Sequence, residues 1–308
     1  MDKWTNLYDV SKCTACRGCV VQCKNWNRNP ALIEPFKGSY GTKSDTDEDT
    51  YTIIRFMEEE TTKNPMKPVE WRFIKYQCMH CHDPACMKVC PTKCISQTEW
   101  GAVVKDYDKC VGCKYCIAAC PFGIPKYRER QDKTTKCTLC AERVESGFNP
   151  LDPAAVKTLD AGSRLKDPSS SKIKDSMGYP ACAKTCPTGA LKFGKRDDLL
   201  KEAKQRQQEL IAKGYPNATV YGEKELGGLN KLYVLTDTPD KFGLPVNPTT
   251  PAYINIWQPW IKPYGGVLIG LAALGAIGSF FSTRFINAFG DKMGLDGHHE
   301  EGGDKHDA

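Results

Sequence analysis

CVGCKYCIAACPFGIP, residues 110–125, decides how this chain is read. Its cysteines, Cys110, Cys113, Cys116 and Cys120, are spaced C-x2-C-x2-C-x3-C and run straight into Pro121. So tight a run aims three sulfurs at one point and turns backbone N–H groups toward the same point. The fourth sulfur, one helical turn further on, faces away. The pattern recurs outward in both directions. Cys78, Cys81, Cys86 and Cys90 repeat it with a wider middle gap, Cys13, Cys16, Cys19 and Cys23 repeat it in the tight form, and Cys137 and Cys140 are completed 41 residues later by Cys182 and Cys186. Proline follows the last cysteine of three groups, as Pro91, Pro121 and Pro187.

C-x2-C-x2-C-x3-C-P is the bacterial ferredoxin run, in which three thiolates wrap one [4Fe–4S] cube and the fourth reaches a neighbouring cube. Structural zinc usually takes two C-x2-C pairs a dozen or more residues apart, which near-contiguous quartets do not resemble. Disulfides between cysteines two or three apart in short turns are geometrically poor. Cross-ligation then predicts the ligand sets. Groups two and three form an inner pair, with Cys78, Cys81, Cys86 and Cys120 on one cube and Cys110, Cys113, Cys116 and Cys90 on the other. The outer groups pair as Cys13, Cys16, Cys19 with Cys186, and Cys137, Cys140, Cys182 with Cys23. Sixteen of the 17 cysteines are so used. Cys94 aligns with Ala190 after the Cys-Pro junctions and is expected to be a small buried packing residue, not a ligand.

The chain has 308 residues, 40% hydrophobic and 26% charged, which excludes both wholesale disorder and a polytopic membrane protein. Its formal charge of +6 suggests attraction to nucleic acid until the cofactor is counted. Four oxidised cubes with their thiolates carry about −8, leaving about −2, so no nucleic-acid role is expected.

The first ten residues hold Asp2, Lys3 and Asp9 and no apolar stretch, and do not read as a secretory signal. Tyr264 to Thr283 are 20 uncharged residues, about 30 Å as a helix, with Trp257, Trp260 and Tyr264 on one flank and Arg284 on the other. This reads as one membrane span, with small-x3-small spacings such as Gly266 and Gly270 that permit close helix approach. The expected layout is a cluster domain over 1–195, containing an inserted loop at 149–178, a covering segment at 196–260, a transmembrane helix at 261–286 and a polar tail at 287–308. Tyr51 to Met57 and Trp71 to Tyr76 read as two apolar hairpin candidates that shield the clusters from water. Asp197 or Asp198 is expected to cap a helix ending near Gly214, and Leu232 to Leu235 to form a strand.

The runs CTACRGC (13–19) with Trp26 and Asn27, CMHCHDPAC (78–86), CKYCIAACPFGIP (113–125), KCTLC (136–140) and CAKTCPTGA (182–190) resemble the four-cluster iron–sulfur subunits of membrane-bound molybdenum or tungsten oxidoreductases. Gly194 to Gly214, Val220-Tyr221-Gly222, Leu226-Gly227-Gly228, Lys231 to Leu235 and the single span narrow the resemblance to the beta subunit of respiratory formate dehydrogenase. It covers nearly the whole chain, the loop at 149–178 being the main departure. The resemblance implies an α+β fold of two nested bacterial-ferredoxin-like units with four [4Fe–4S] clusters, plus one C-terminal transmembrane helix. It implies an electron-transfer subunit of anaerobic respiration, not an enzyme on its own. Electrons would come from a catalytic subunit with a bis-pterin Mo or W site and leave to a cytochrome b subunit and quinone in the lipid bilayer. The equivalent subunit of a nickel–iron hydrogenase, or of a sulfur or nitrogen oxyanion reductase, is the alternative. No catalytic arrangement stands out, and His80 and His82, beside Cys81, are expected to pack or hydrogen-bond near a cluster. Arg284 and Lys292 after the span, against Lys262 before it, favour a cytoplasmic tail, and the resemblance likewise puts the cluster domain on the periplasmic side.

Overall fold

A computed structural model describes residues 3–31, 35, 43–60, 69–148, 178–256 and 262–293. The chain divides into two compact units, residues 1–254 and 255–308. The expected insertion at 149–178 lies outside the described residues apart from Gly178, and so do Trp257, Trp260 and the chain after Met293.

The first unit is mixed α/β, built on a four-stranded sheet in the order β8-β1-β10-β9. Here β1 is Trp4–Asp9, β8 Leu191–Lys195, β9 Thr219–Tyr221 and β10 Lys231–Leu235. β1 pairs parallel with β10, Asn6 opposite Lys231 and Tyr8 opposite Tyr233, and antiparallel with β8. The segment after residue 195 therefore supplies two of the four strands and is part of the same core, more than a cover over it.

Period-two alternation divides the two faces of this sheet. Leu7, Leu232 and Val234 point to one side, against Leu199, Ala203 and Leu210 of α6 (Arg196–Ala212). Full burial of each leucine there contributes about 2 kcal/mol. Tyr8, Tyr233 and Leu235 point to the other side, into the core that contains Cys19, Cys23, Cys78, Cys137 and Cys182. No side chain caps α6: its N-cap is Lys195, and Asp197 and Asp198 lie in its first turn, where their charge suits the exposed N–H groups.

The two hairpin candidates pair with each other as β2 (Thr52–Glu60) and β3 (Val69–Gln77), from Thr52 opposite Gln77 to Glu60 opposite Val69. The Tyr233 hydroxyl donates to the Lys75 carbonyl at 2.9 Å and the Tyr76 hydroxyl to the Phe122 carbonyl at 2.6 Å, which tie this hairpin to the sheet and to the third cysteine group. Two short hairpins complete the unit: β4 (Ile95–Gln97) with β5 (Val103–Lys105), and β6 (Lys126–Arg128) with β7 (Lys133–Thr135).

The helices around the cysteines are short: α1 (Gly18–Asn27), α2 (Ala85–Lys88), α3 (Tyr115–Ala119), α4 (Ala141–Phe148) and α5 (Ala181–Lys184). A local pattern repeats three times. A helix (α2, α3 or α5) leads to a Cys-Pro junction, a turn follows, and a strand begins (β4, β6 or β8). Proline suits the junction because it has no N–H to leave unpaired where the helix stops.

The second unit contains one long helix, α7 (Lys262–Met293), which runs beyond the expected end at residue 286. Its segment Tyr264–Asn287 has a mean hydropathy of 1.8 and is long and apolar enough to cross a membrane. Leu268, Leu274, Phe281 and Phe285 are all exposed.

Candidate metal centres

The four cysteine groups share one backbone device. The residue two places after the first cysteine has a left-handed backbone in every group: Ala15 at φ 53°, His80 at 48°, Gly112 at 67° and Leu139 at 59°. Arg17 and Lys114, two places further on, repeat it at 59° and 63° and lead into α1 and α3. Left-handed residues turn successive N–H groups into one concavity, which suits an anionic metal–sulfide group. Accordingly the Ala15 N–H donates to Cys13 Sγ at 3.3 Å and the Leu139 N–H to Cys137 Sγ at 3.4 Å. A second device follows the Cys-Pro junctions. Lys93, Gly123 and Gly189 take φ of 53°, 62° and 64°, each donating its N–H to the carbonyl of the cysteine three residues back.

Three cavities are lined by four expected ligands each. One is bordered by Cys23, Cys137, Cys140 and Cys182, and another by Cys78, Cys81, Cys86 and Cys120. The third has Cys90, Cys110, Cys113 and Cys116 on its wall, with Cys94 beside them. In each, one thiol comes from a different group than the other three. The fourth expected set, Cys13, Cys16, Cys19 and Cys186, lines none of these three cavities; α1, which carries Cys19, packs on α5, which ends two residues before Cys186. There a Cβ on Gly18 would lie 3.8 Å from Cys16 Sγ and 4.0 Å from the carbonyl of Thr185, the residue before Cys186.

The thiols also place the quartets in sequence. Burial pushes Cys19 up to about 11, opposed by Lys75 and reinforced by Cys182 of the next quartet. Burial likewise pushes Cys137 up to about 11, reinforced most by Cys78. Cys86 rises to about 12 through burial, opposed by Lys136 and reinforced by Cys78, Cys120 and Cys116. The interactions thus run from the Cys13 quartet to the Cys137, Cys78 and Cys110 quartets in turn. Cys16 and Cys113, in the first and last of these, are the exposed cysteines, so both ends reach the surface.

Four buried lysines lie among these thiols: Lys75, Lys105, Lys136 and Lys231. Their hydrogen-bond partners are neutral. Lys75 Nζ donates to Thr52 Oγ1 at 2.7 Å and to Gln77 Oε1, Lys231 Nζ to Asn6 Oδ1, and Lys105 Nζ to the Thr134 hydroxyl and carbonyl. Lys136 Nζ donates to the carbonyls of Val103 and, at 3.0 Å, Cys137, and lies 4.0 Å from Cys78 Sγ. None of the four pairs with a carboxylate among the described residues. Burial, with Lys75 adding to it, drives Lys231 well below the ordinary lysine value; a buried lysine that keeps its charge without an anion costs several kcal/mol, so Lys75 and Lys136 call for an anion beside them. Burial works against the Lys75 ammonium, but Cys182, Cys19, Cys137 and Cys23 outweigh it and raise its pKa above the ordinary value. Thiolates carrying an anionic iron–sulfur group fit this requirement. Sequence reading missed these lysines, although Lys75 and Lys231 each adjoin an apolar strand run, Phe73-Ile74 and Leu232 to Leu235, where lysine is out of pattern.

His80 and His82 stand beside Cys81 but are engaged elsewhere. His80 is fully buried and its Nδ1 accepts from the Val103 N–H at 2.9 Å, and His82 Nε2 lies 2.9 Å from Asn230 Oδ1. Cys94 and Ala190 are both buried, at 4% and 2% exposure, as their alignment suggests. Cys94 Sγ lies 3.4 Å from Cys90 Sγ, and burial together with Cys90 pushes its thiol up to about 12. Hydroxyls meet other thiols: Thr134 Oγ1 is 3.3 Å from Cys116 Sγ, and Thr92 and Thr188 lie 3.6 and 3.7 Å from Cys90 and Cys186.

Residues 69–164 match the family of 4Fe-4S dicluster domains. With that match, a mixed α/β body whose cysteines sit in repeated N–H-presenting turns is an iron–sulfur electron-transfer subunit. The chain is 35% identical to the iron-sulfur subunit of the nitrate-inducible formate dehydrogenase of Escherichia coli, over 91% of this chain and 82% of the relative. A formate dehydrogenase iron-sulfur subunit of Haemophilus influenzae is 35% identical over 90% and 80%. The hydrogenase-2 operon protein HybA of Shigella flexneri is 31% identical over 98% and 88%. The chain belongs to the family of formate dehydrogenase iron–sulfur subunits.

Proposed function

We propose that the chain carries electrons through four [4Fe–4S] clusters, one in each quartet, from a formate-oxidising catalytic subunit with a Mo or W bis-pterin site to a membrane cytochrome b subunit and quinone. The observation that carries this reading is the arrangement of the quartets, three of them around cavities whose walls each take one thiol from another group, with the exposed cysteines Cys16 and Cys113 in two different quartets. A cube held by four thiolates takes up and releases single electrons at a potential set by its surroundings. The residues do the rest. Sixteen thiols hold the groups, backbone N–H groups and the hydroxyls of Thr92, Thr134 and Thr188 hydrogen-bond their sulfurs, and the tyrosine face of the main sheet packs into the core that holds Cys19, Cys23, Cys78, Cys137 and Cys182 and shields it from water. Cys94 stays a protonated neighbour of Cys90. In this reading residues 1–195 form two nested ferredoxin-like units, the inner inserted in the outer, with residues 196–260 completing their shared core. The helix from Lys262 anchors the chain in the bilayer as a single pass, with the cluster unit on the periplasmic side and the tail in the cytoplasm.

The relative from the hydrogenase-2 operon favours a second reading, in which hydrogen is the electron source and the path through this chain is unchanged. An anaerobic experiment separates the two: the detergent-solubilised complex is given formate, then hydrogen, and the visible cluster absorbance is followed. Prompt bleaching by formate is expected. Bleaching by hydrogen alone assigns the chain to the second reading.

A further inference from the structure

Lys136 lies where two quartets meet. Its Nζ is 4.0 Å from Cys78 Sγ and donates at 3.0 Å to the carbonyl of Cys137, and its side chain forms part of the wall of the Cys78 cavity. A second carbonyl, that of Val103, accepts from the same ammonium. The residue is 2% exposed, and its polar contacts among the described residues are these two carbonyls and the Cys78 sulfur. Its charge is therefore compensated by whatever the two quartets hold.

This position differs from that of the other buried lysines. Lys105 bonds to Thr134 and to Cys110 of a single quartet, Lys75 bonds to Thr52 and Gln77 on the hairpin, and Lys231 bonds to Asn6 on β1. Lys136 makes polar contact with residues of two different quartets. Its own chain position helps fix it there: Thr134 and Thr135 end β7, and Cys137 opens the fourth group. The side chain reaches from one half of the path into the wall of the other.

We propose that Lys136 is the electrostatic joint of the electron path, a positioning residue whose fixed positive charge raises the reduction potentials of the Cys78 and Cys137 centres together. The proposal rests on the reading that all four quartets hold clusters. An electron that passes between the two quartets changes the charge on either side of Lys136 by one unit. No bond forms or breaks, and the ammonium keeps its protons. A cation shared between two anionic centres stabilises the reduced form of each and offsets their mutual repulsion when both are reduced.

The test is an anaerobic redox titration of the solubilised complex followed by electron paramagnetic resonance, with iron counted on the same samples. Lys136→Gln keeps a donor for the carbonyls and removes the charge. With iron content unchanged, two of the four midpoints should fall by about 59 mV or more, tenfold in the one-electron equilibrium, while the other two stay in place. Lys136→Arg should retain all four. Unchanged midpoints in an iron-replete Gln variant, or an equal shift of all four, overturn the proposal. If the Gln variant loses iron, the Arg variant decides: full iron and wild-type midpoints support a role for the charge, and iron loss there as well reduces Lys136 to packing and overturns it. Failure of the underlying reading looks different, because the wild-type chain itself would then carry fewer than about sixteen irons.

Discussion

Gly112 shows what a single residue does for a centre. It occupies the left-handed position that Ala15, His80 and Leu139 occupy in the other groups, but a Cβ there would meet the Asp132 carbonyl oxygen at 2.5 Å and its carboxylate at 2.6 Å. Gly123 is also left-handed, yet nothing lies within 4 Å of where its Cβ would be. Gly123→Ala should therefore cost only the backbone penalty, about 1 kcal/mol, and leave iron content intact. Gly112→Ala adds a clash with backbone and should displace the turn, with loss of one cube, about four of sixteen irons. Chemical denaturation and an iron assay read both, and equal effects of the two substitutions would contradict the steric account. At this scale the thiols were legible because their spacing is local. The repeated left-handed turns were not, since three of the four residues adopting them are not glycine. The buried lysines were hidden for another reason: a lysine is ordinarily assigned to solvent, and only the density of thiols around these four makes burial tolerable.

Among the elements, the hairpin β2–β3, helix α6 and strand β10 could be read from alternation and apolar runs. β1 could not. Its sequence WTNLYD contains Thr5 and Asn6, both fully buried, and its parallel partner β10 lies more than 220 residues away. Long-range pairing of a polar strand leaves no local pattern. The stretch before β2 is held by charge. Asp49, which is buried, accepts from Arg130 Nη1 at 2.7 Å, and from Arg128 Nη2 at the same distance, linking this stretch to β6 and the turn after it. Burial alone would raise the Asp49 carboxyl, but the hydrogen bonds and charges of Arg130 and Arg128 outweigh it and hold it below the usual carboxylate range. A depressed folded pKa means that its contribution is fully present above about pH 3.9, the unfolded value, and is lost as pH falls through the folded one. Asp49→Asn should cost about 3 kcal/mol at neutral pH by leaving Arg128 buried without its anion. In acid the variant and the wild type should converge. Denaturation curves at several pH values check this, and a pH-independent difference would contradict it.

Across the whole molecule, the chain joins a cysteine-rich unit and one apolar helix, and each is legible from composition alone: thiols in the first, an uncharged run in the second. What composition does not convey is that the segment after residue 195 is built into the main sheet, so that the cluster unit closes only when β10 returns to β1. The last cysteine group shares this logic, because Cys182 must come back across the chain to stand beside Cys23. In the account proposed here, the fold exists to bring distant thiols together, and crossed ligand sets are its signature. An iron-edge anomalous difference map from anaerobic crystals of the complex tests this directly. Four cubes are expected, each touching three sulfurs of one group and one of another, with Cys186 on the Cys13 cube, Cys23 on the Cys137 cube, and Cys94 on none. A cube bound by Cys13, Cys16, Cys19 and Cys23 together would contradict the account.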